Sequence, residues 1–233
     1  MNAALIIPAR DEADCIGELV AEARRWFAGP IIVADNGSRD ATAELAASAG
    51  ALVAHEPVAG YGRACFAGIA AAPPECDVLV FMDGDGSDRP QDIPALLAAI
   101  EAGAELALGV RRGPGVERGS IAPAARFGNS LSGVLIWLAW RQRPHDLSPL
   151  KAIRREALDR LALQEQTYGW TVEMLAKAAR AKMRMVEVAV GYRHRRGGRS
   201  KVSGDLRASA KAGYRILATI WRVARNRDGA PGG

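Results

Sequence analysis

Cysteine is scarce in this chain of 233 residues, with Cys15, Cys65 and Cys76 as its full complement. Their odd number and unclustered spacing exclude a disulfide framework and a cysteine-built metal site. They read instead as reduced thiols in a cytosolic protein. Long hydrophobic runs are missing too. The longest, 131–140, lies between Arg126 and Arg141 and falls well short of the ~20 residues a membrane-spanning helix needs. No leader pattern is visible, since the first residues pass straight into a strand-like segment and a charged turn. Internal repeats, low-complexity tracts and a clean linker are likewise absent, which leaves one principal domain.

What is present is an ordinary globular composition, 49% hydrophobic and 24% charged, enough to bury a core without metal or disulfide support. The net charge of +5 is unevenly spread. Segment 193–201 and the tail to Arg227 are rich in arginine, whereas 75–105 carries most of its charge as carboxylates. A basic C-terminal third points to an anionic partner: phosphate, a membrane surface or nucleic acid.

Short apolar runs at 4–8, 31–35, 51–55, 78–83 and 106–110 alternate with helical patterns at 16–27, 41–49, 63–71 and 93–101. This alternation predicts an α/β fold, a mostly parallel sheet with helices on both faces. Further on, 111–120, with three glycines and a proline, reads as a mobile loop. Helices are expected over 124–140 and 171–181, an alternating strand over 183–192, and a last helix over 206–225. In such sheets ligands bind beyond the carboxyl ends of the strands. Three of those ends are polar turns: Pro8-Ala9-Arg10-Asp11-Glu12, Asp35-Asn36-Gly37-Ser38 and Asp83-Gly84-Asp85-Gly86.

Asp83 and Asp85, one residue apart at a strand end, can converge on a hard divalent cation such as Mg²⁺ or Mn²⁺ and so offset charge on a leaving diphosphate. Alone, such a pair is equally a solvated turn. Asp35 can accept from a base imide or a ribose hydroxyl, while Ser38 or Asp40 can simply cap the next helix. Gly60-Tyr61-Gly62 is half of a dinucleotide fingerprint, but Cys65 fills its third glycine position, which disfavours a nicotinamide cofactor. The loop Arg193-His194-Arg195-Arg196-Gly197-Gly198-Arg199-Ser200-Lys201 offers glycine amides and cationic side chains to phosphate, or alternatively to RNA.

Taken together and in this order, Ile7-Pro8-Ala9-Arg10-Asp11-Glu12, Asp35-Asn36-Gly37-Ser38, Gly60-Tyr61-Gly62, Asp83-Gly84-Asp85-Gly86 and Gly198-Arg199-Ser200-Lys201 resemble the family 2 glycosyltransferases. The branch of dolichyl-phosphate mannose and polyprenyl-phosphate sugar synthases looks closest. The resemblance reaches to about Gly204 and implies a GT-A-type nucleotide-diphosphate-sugar-binding fold with inversion at the sugar carbon. It implies that Pro8, Ala9, Arg10, Glu12, Asp35 and Asp83 hold the nucleotide, that Asp83 and Asp85 manage Mg²⁺ or Mn²⁺, and that Arg195, Ser200 and Lys201 bind phosphate. Asp85 and Asp146 become the expected catalytic carboxylates, Asp146 lying near the sugar. Ser87 stands where the branch often has Gln, and Arg10 where many relatives have Asn.

The implied donor is a nucleotide-diphosphate sugar and the implied acceptor a polyprenyl phosphate, whose ionised oxygen needs no strong base. A hydroxyl acceptor in envelope glycan or glycolipid synthesis would need one. Asp146 and Glu173 are the candidates, although Glu173 equally reads as an exposed helix residue. A basic RNA-binding module leaves the acidic strand ends unexplained, so no nucleic-acid partner is expected. Residues 1–204 are read as the catalytic domain and 205–233 as a basic amphipathic helix and tail. In that helix Leu206, Gly213, Leu217, Ile220, Trp221 and Ala224 form an apolar stripe beside Arg207, Lys211 and Arg215. This pattern suits the inner membrane surface, or docking on the core.

Overall fold

The computed structural model describes residues 1–197 and 206–225, with backbone alone over 206–215. Ser200 and Lys201 therefore lie outside the described residues. Seven strands form one sheet in the order β3-β2-β1-β4-β6-β5-β7. They are β1 (Ala3–Ala9), β2 (Ile31–Asp35), β3 (Leu52–His55), β4 (Val78–Phe81), β5 (Leu106–Val116), β6 (Lys151–Arg154) and β7 (Met185–Tyr192). Every pairing is parallel except the two that β6 makes with β4 and β5. The sheet is thus mostly parallel, as the strand–helix alternation predicts.

Fully buried strands such as Ile31–Asp35 are apolar on both faces because both faces are covered. On one side Leu5, Ile7, Val33, Val80 and Ala152 pack against α1 (Ile16–Ala23), α2 (Thr42–Ser48) and α4 (Ile93–Glu101). On the other, Ile6, Leu79, Phe81, Leu108 and Ile153 pack against α3 (Tyr61–Ala71), α5 (Pro123–Trp140), α6 (Arg155–Leu161), α7 (Trp170–Arg180) and α8 (Leu206–Arg225). Trp170 is the largest side chain wholly buried there and lies 4.9 Å, centroid to centroid, from Phe81.

Two expectations are corrected. Segment 111–120 is not simply a loop: β5 continues to Val116, with Arg111 opposite Val190 and Val116 opposite Tyr192 across a register shift. Its glycines and proline read locally as breakers, yet β7 supplies the partner that a single segment cannot reveal. The Lys151–Arg154 strand and the helix after it were not anticipated, because four residues carry too little alternation to register. The helix expected over 16–27 ends at Ala23. Elsewhere the predicted elements are recovered to within two residues.

The apolar stripe of α8 divides. Ile220 and Val223 are buried in the core cluster, where Arg180 donates to the carbonyl of Val223. Leu217 and Trp221 remain exposed at 44% and 60%. Docking on the core therefore accounts for the Ile220 and Val223 side of the helix.

Candidate active site

The three polar strand ends lie side by side because β2, β1 and β4 are neighbours and parallel. Their turns are tied to one another. The backbone N–H of Asp11, which adopts a left-handed conformation (φ 51°), donates to Ser38 Oγ at 3.0 Å, and Arg39 N–H donates to Asp11 Oδ1 at 2.8 Å. Glu12 N–H donates to Thr42 Oγ1 at 2.8 Å. Gly84 N–H donates to the carbonyl of Pro8, and a Cβ on Gly84 would lie 3.0 Å from that same oxygen. Any side chain there would push the acidic turn away from Ala9.

Asp35 is buried, accepts from Ser38 N–H at 3.2 Å and lies 3.5 Å from His55 Nδ1. Asn36, to which no role had been given, organises the next turn. Its amide nitrogen donates to the carbonyls of Glu56 and Val58, and its oxygen accepts from Gly60 N–H at 2.7 Å. The glycines of Gly60-Tyr61-Gly62 serve packing rather than phosphate. Cβ atoms on Gly60 and Gly62 would stand 2.4 and 2.1 Å from the carbonyls of Gln166 and Glu165.

At the end of β4 the acids gather. Asp88 is wholly buried and accepts from Asp83 N–H at 3.1 Å, while Asp85 accepts from Ser87 N–H at 2.9 Å. Oδ1 of Asp83 and Oδ1 of Asp88 have no hydrogen-bond partner among the described residues. Burial, reinforced by the charge of Asp85, pushes the Asp83 carboxyl above the usual carboxylate range. Burial and the charge of Asp83 do the same to Asp88. Buried carboxylate oxygens without donors are a chemically apt seat for a hard cation. No three His, Cys, Asp or Glu groups among the described residues form a closed metal cage. A Mg²⁺- or Mn²⁺-type ion needs none, because it completes its shell with water and ligand phosphate.

Arg195 reaches this cluster from the segment after β7. Its guanidinium lies 3.1 Å from Asp85 Oδ2 and 3.0 Å from Glu12 Oε1. Arg193 and Arg196 are both held by Glu22, at 2.8 and 2.9 Å. Of the expected phosphate-binding set, Arg195 is therefore brought to the acids.

A second region opens on the far side of β4. Asp146 is buried and fully engaged. Its oxygens accept from Arg111 Nε at 2.8 Å, Arg111 Nη2 at 2.6 Å, Arg111 N–H at 2.9 Å and Asn129 Nδ2 at 2.6 Å. Burial works against the Arg111 charge. The Asp146 hydrogen bonds and charge more than offset it and raise the guanidinium above its ordinary value. The Arg111 guanidinium also lies 4.8 Å above the Tyr192 ring. Beside this pair is a cavity of about 650 Å³, into which Arg111, Arg112, Arg118, Arg126 and Arg143 face, against two carboxylates, Glu117 and Asp146. Such a site attracts an anion. No local pattern signals this cavity, since its arginines are scattered over four segments.

Glu173, one of the two base candidates, is buried rather than exposed. It accepts from Gln164 and Glu165 N–H at 2.9 and 2.7 Å and pairs with Lys177 at 2.9 Å. Its carboxylate organises the loop before α7.

Acidic turns side by side at the ends of parallel strands, with a cationic cavity elsewhere on the same sheet, are compatible with a transferase of GT-A architecture. The chain belongs to glycosyl transferase family 2, whose sequence model matches residues 4–162. An uncharacterised glycosyltransferase of Mycobacterium tuberculosis is 36% identical over 226 residues, covering 94% of this chain and 96% of that protein. The polyprenol monophosphomannose synthase of Mycolicibacterium smegmatis is 31% identical over 224 residues, covering 86% and 81%. The fold is shared with glucosyl-3-phosphoglycerate synthase from M. tuberculosis, solved with Mn²⁺, uridine diphosphate and glucosyl-3-phosphoglycerate. There the TM-score is 0.75, with 22% identity over 96% of this chain and 80% of that one. At that identity the likeness is one of fold.

Proposed function

We propose that the chain transfers a glycosyl group, with inversion, from a nucleoside-diphosphate sugar to a lipid phosphate of the polyprenyl class. The observation that carries this reading is the arginine-lined cavity beside Asp146. An acceptor that enters as a phosphate supplies an ionised oxygen, and Arg111 and its neighbours would hold that anion facing the sugar. The new bond forms between this oxygen and the anomeric carbon while the bond from that carbon to the donor diphosphate breaks. The engagement of both Asp146 oxygens fits a residue that aims Arg111 rather than one that removes a proton, which favours a phosphate over a hydroxyl acceptor. The name of the mycolicibacterial relative, a polyprenol monophosphomannose synthase, points the same way.

On the donor side, Pro8, Ala9, Arg10, Glu12 and Asp35 would line the nucleoside, and Arg195, with Ser200 and Lys201, the diphosphate. Asp83 and Asp85 would hold Mg²⁺ or Mn²⁺, for which the partnerless oxygens of Asp83 and Asp88 are the structural support. When bound, that ion would offset the charge of the departing diphosphate. Release of Arg195 from Asp85 toward the diphosphate would add a second positive charge.

We place the reaction at the inner membrane surface, with residues 1–204 as the catalytic domain and α8 as its basic helical appendage. No helix among the described residues is long and apolar enough to cross a bilayer. Exposed Phe127, Trp137 and Leu138 on α5, and Leu217 and Trp221 on α8, instead suit the headgroup region. Arg141 and Arg225 lie over Trp137 and Trp221 at 5.1 and 4.9 Å. The protein should float with anionic vesicles at low salt, and less when truncated before Leu206; failure to float removes the membrane assignment. The acceptor is tested by supplying nucleotide sugars with Mn²⁺ and either a polyprenyl phosphate or the corresponding polyprenol. Transfer to the phosphate alone is expected, and transfer to the alcohol alone would overturn the reading.

A further inference from the structure

Lys151 is the first residue of β6 and is wholly buried, an unusual place for an ammonium. Its hydrogen bond goes to a neutral group, Thr171 Oγ1, at 3.2 Å, and Nζ lies 5.7 Å above the Trp170 ring. Neither offsets the cost of removing a full charge from water. In the sheet Lys151 stands opposite Phe81. Asp83 follows Phe81 by two residues, which directs it to the same face. One face of the sheet thus holds a buried ammonium, without an ion pair among the described residues, and the half-buried carboxylate of Asp83, whose Oδ1 is buried and partnerless. Asp88, also buried with a partnerless oxygen, is close enough for its charge to act on the lysine.

We infer that Lys151 is the built-in counter-charge of the acids at the end of β4, and that it competes with a divalent ion for them. The metal-free protein then tolerates the carboxylates of Asp83 and Asp88 side by side without collapse of the turn. The same positive charge weakens metal binding by the empty enzyme, so that the ion is held well only when a nucleoside diphosphate brings its own negative charge. Burial pulls the Lys151 ammonium down to about 8, and the charges of Asp83 and Asp88 oppose that fall, in keeping with a lysine at the edge of this cluster. The competition rests on the metal site proposed above, whereas the counter-charge role does not.

The two parts are tested separately. In chelator, thermal unfolding is compared for the parent protein, Lys151→Met, Asp83→Asn and the double variant. Asp83→Asn should raise the melting temperature less when Lys151 is present than when it is absent, a difference of about 3 °C or more. Equal shifts in both backgrounds would overturn the counter-charge role. Should Lys151→Met not fold, Lys151→Gln, which keeps a donor for Thr171, replaces it in the same cycle. Mn²⁺ is then titrated without nucleotide, and the lysine variants should bind it about tenfold more tightly than the parent. Unchanged affinity would overturn the competition. If the parent protein takes up no Mn²⁺ even with uridine diphosphate present, the metal reading and the competition fail together, and the unfolding cycle still decides the counter-charge role.

Discussion

The two halves of the sheet solve different problems by different means. Around β2, β1 and β4 the polar groups sit in turns directly after their own strands, so each side chain is aimed by local backbone and then tied to the neighbouring turn. Around β6, β5 and β7 the polar groups come from far apart, as when Asp146 accepts from Arg111 and Asn129. The first half collects carboxylates and the second collects arginines. On the function proposed above, the former would serve a donor held through metal and ribose, and the latter an anionic acceptor. Loss of a donor-side acid should therefore remove chemistry and spare the fold, whereas loss of an acceptor-side arginine should damage both.

The largest effect is expected at the acids. Asp85→Asn and Asp83→Asn should each lower turnover by about a hundredfold or more, with an unchanged circular dichroism spectrum, and excess chelator should do the same to the parent protein. Full activity in both variants would break the donor side of the comparison. Next comes Arg111→Ala, which among the described residues leaves the buried Asp146 with Asn129 as its remaining side-chain partner. It should cost about 3 kcal/mol of stability in denaturant unfolding, and raise the acceptor KM more than the donor KM. A variant as stable as the parent would show that the pair is not what holds that half together.

Smaller effects sharpen the boundary between the halves. Arg195→Ala removes a charged contact of ~1.5–3 kcal/mol, and should lower donor affinity or rate by roughly tenfold without altering the acceptor KM. Lys201→Ala should behave alike, and silence in both variants would return the loop to a solvated basic surface. The smallest effect is a non-reaction. Cys15, whose thiol lies 3.3 Å from the carbonyl of Gly84, is pushed up to about 11 by burial and then by Glu12 and Asp85. Cys65 and Cys76 are buried and shifted the same way. None of the three should react with a thiol reagent at pH 8 within minutes in the native protein. Rapid labelling of Cys15 would mean that the turn between β1 and β4 opens in solution.

Much of the donor half was legible because its signals are local: an apolar run, then Asp35-Asn36-Gly37 or Asp83-Gly84-Asp85, then a helical pattern. The same chain order led to the family. Asp88 was within reach, three residues beyond Asp85, but its burial depends on Tyr192, to which it is bridged in space. Asn36 lay inside a quoted turn, and only the fold shows that it holds the 56–60 segment.

The chain by itself determined the layered α/β architecture, the acids at adjacent strand ends and the arrival of a basic segment after β7. These follow from the periodicity of side chains along strands and helices, which any stretch of about ten residues displays. Tertiary structure alone decided that β6 runs antiparallel between β4 and β5, setting Lys151 opposite Phe81, and that Arg111 closes on Asp146. It alone decided that five arginines face one cavity and that α8 divides its apolar surface between core and solvent. These depend on pairings between residues tens of positions apart, where the energy comes from burial and charge neutralisation that no local segment encodes.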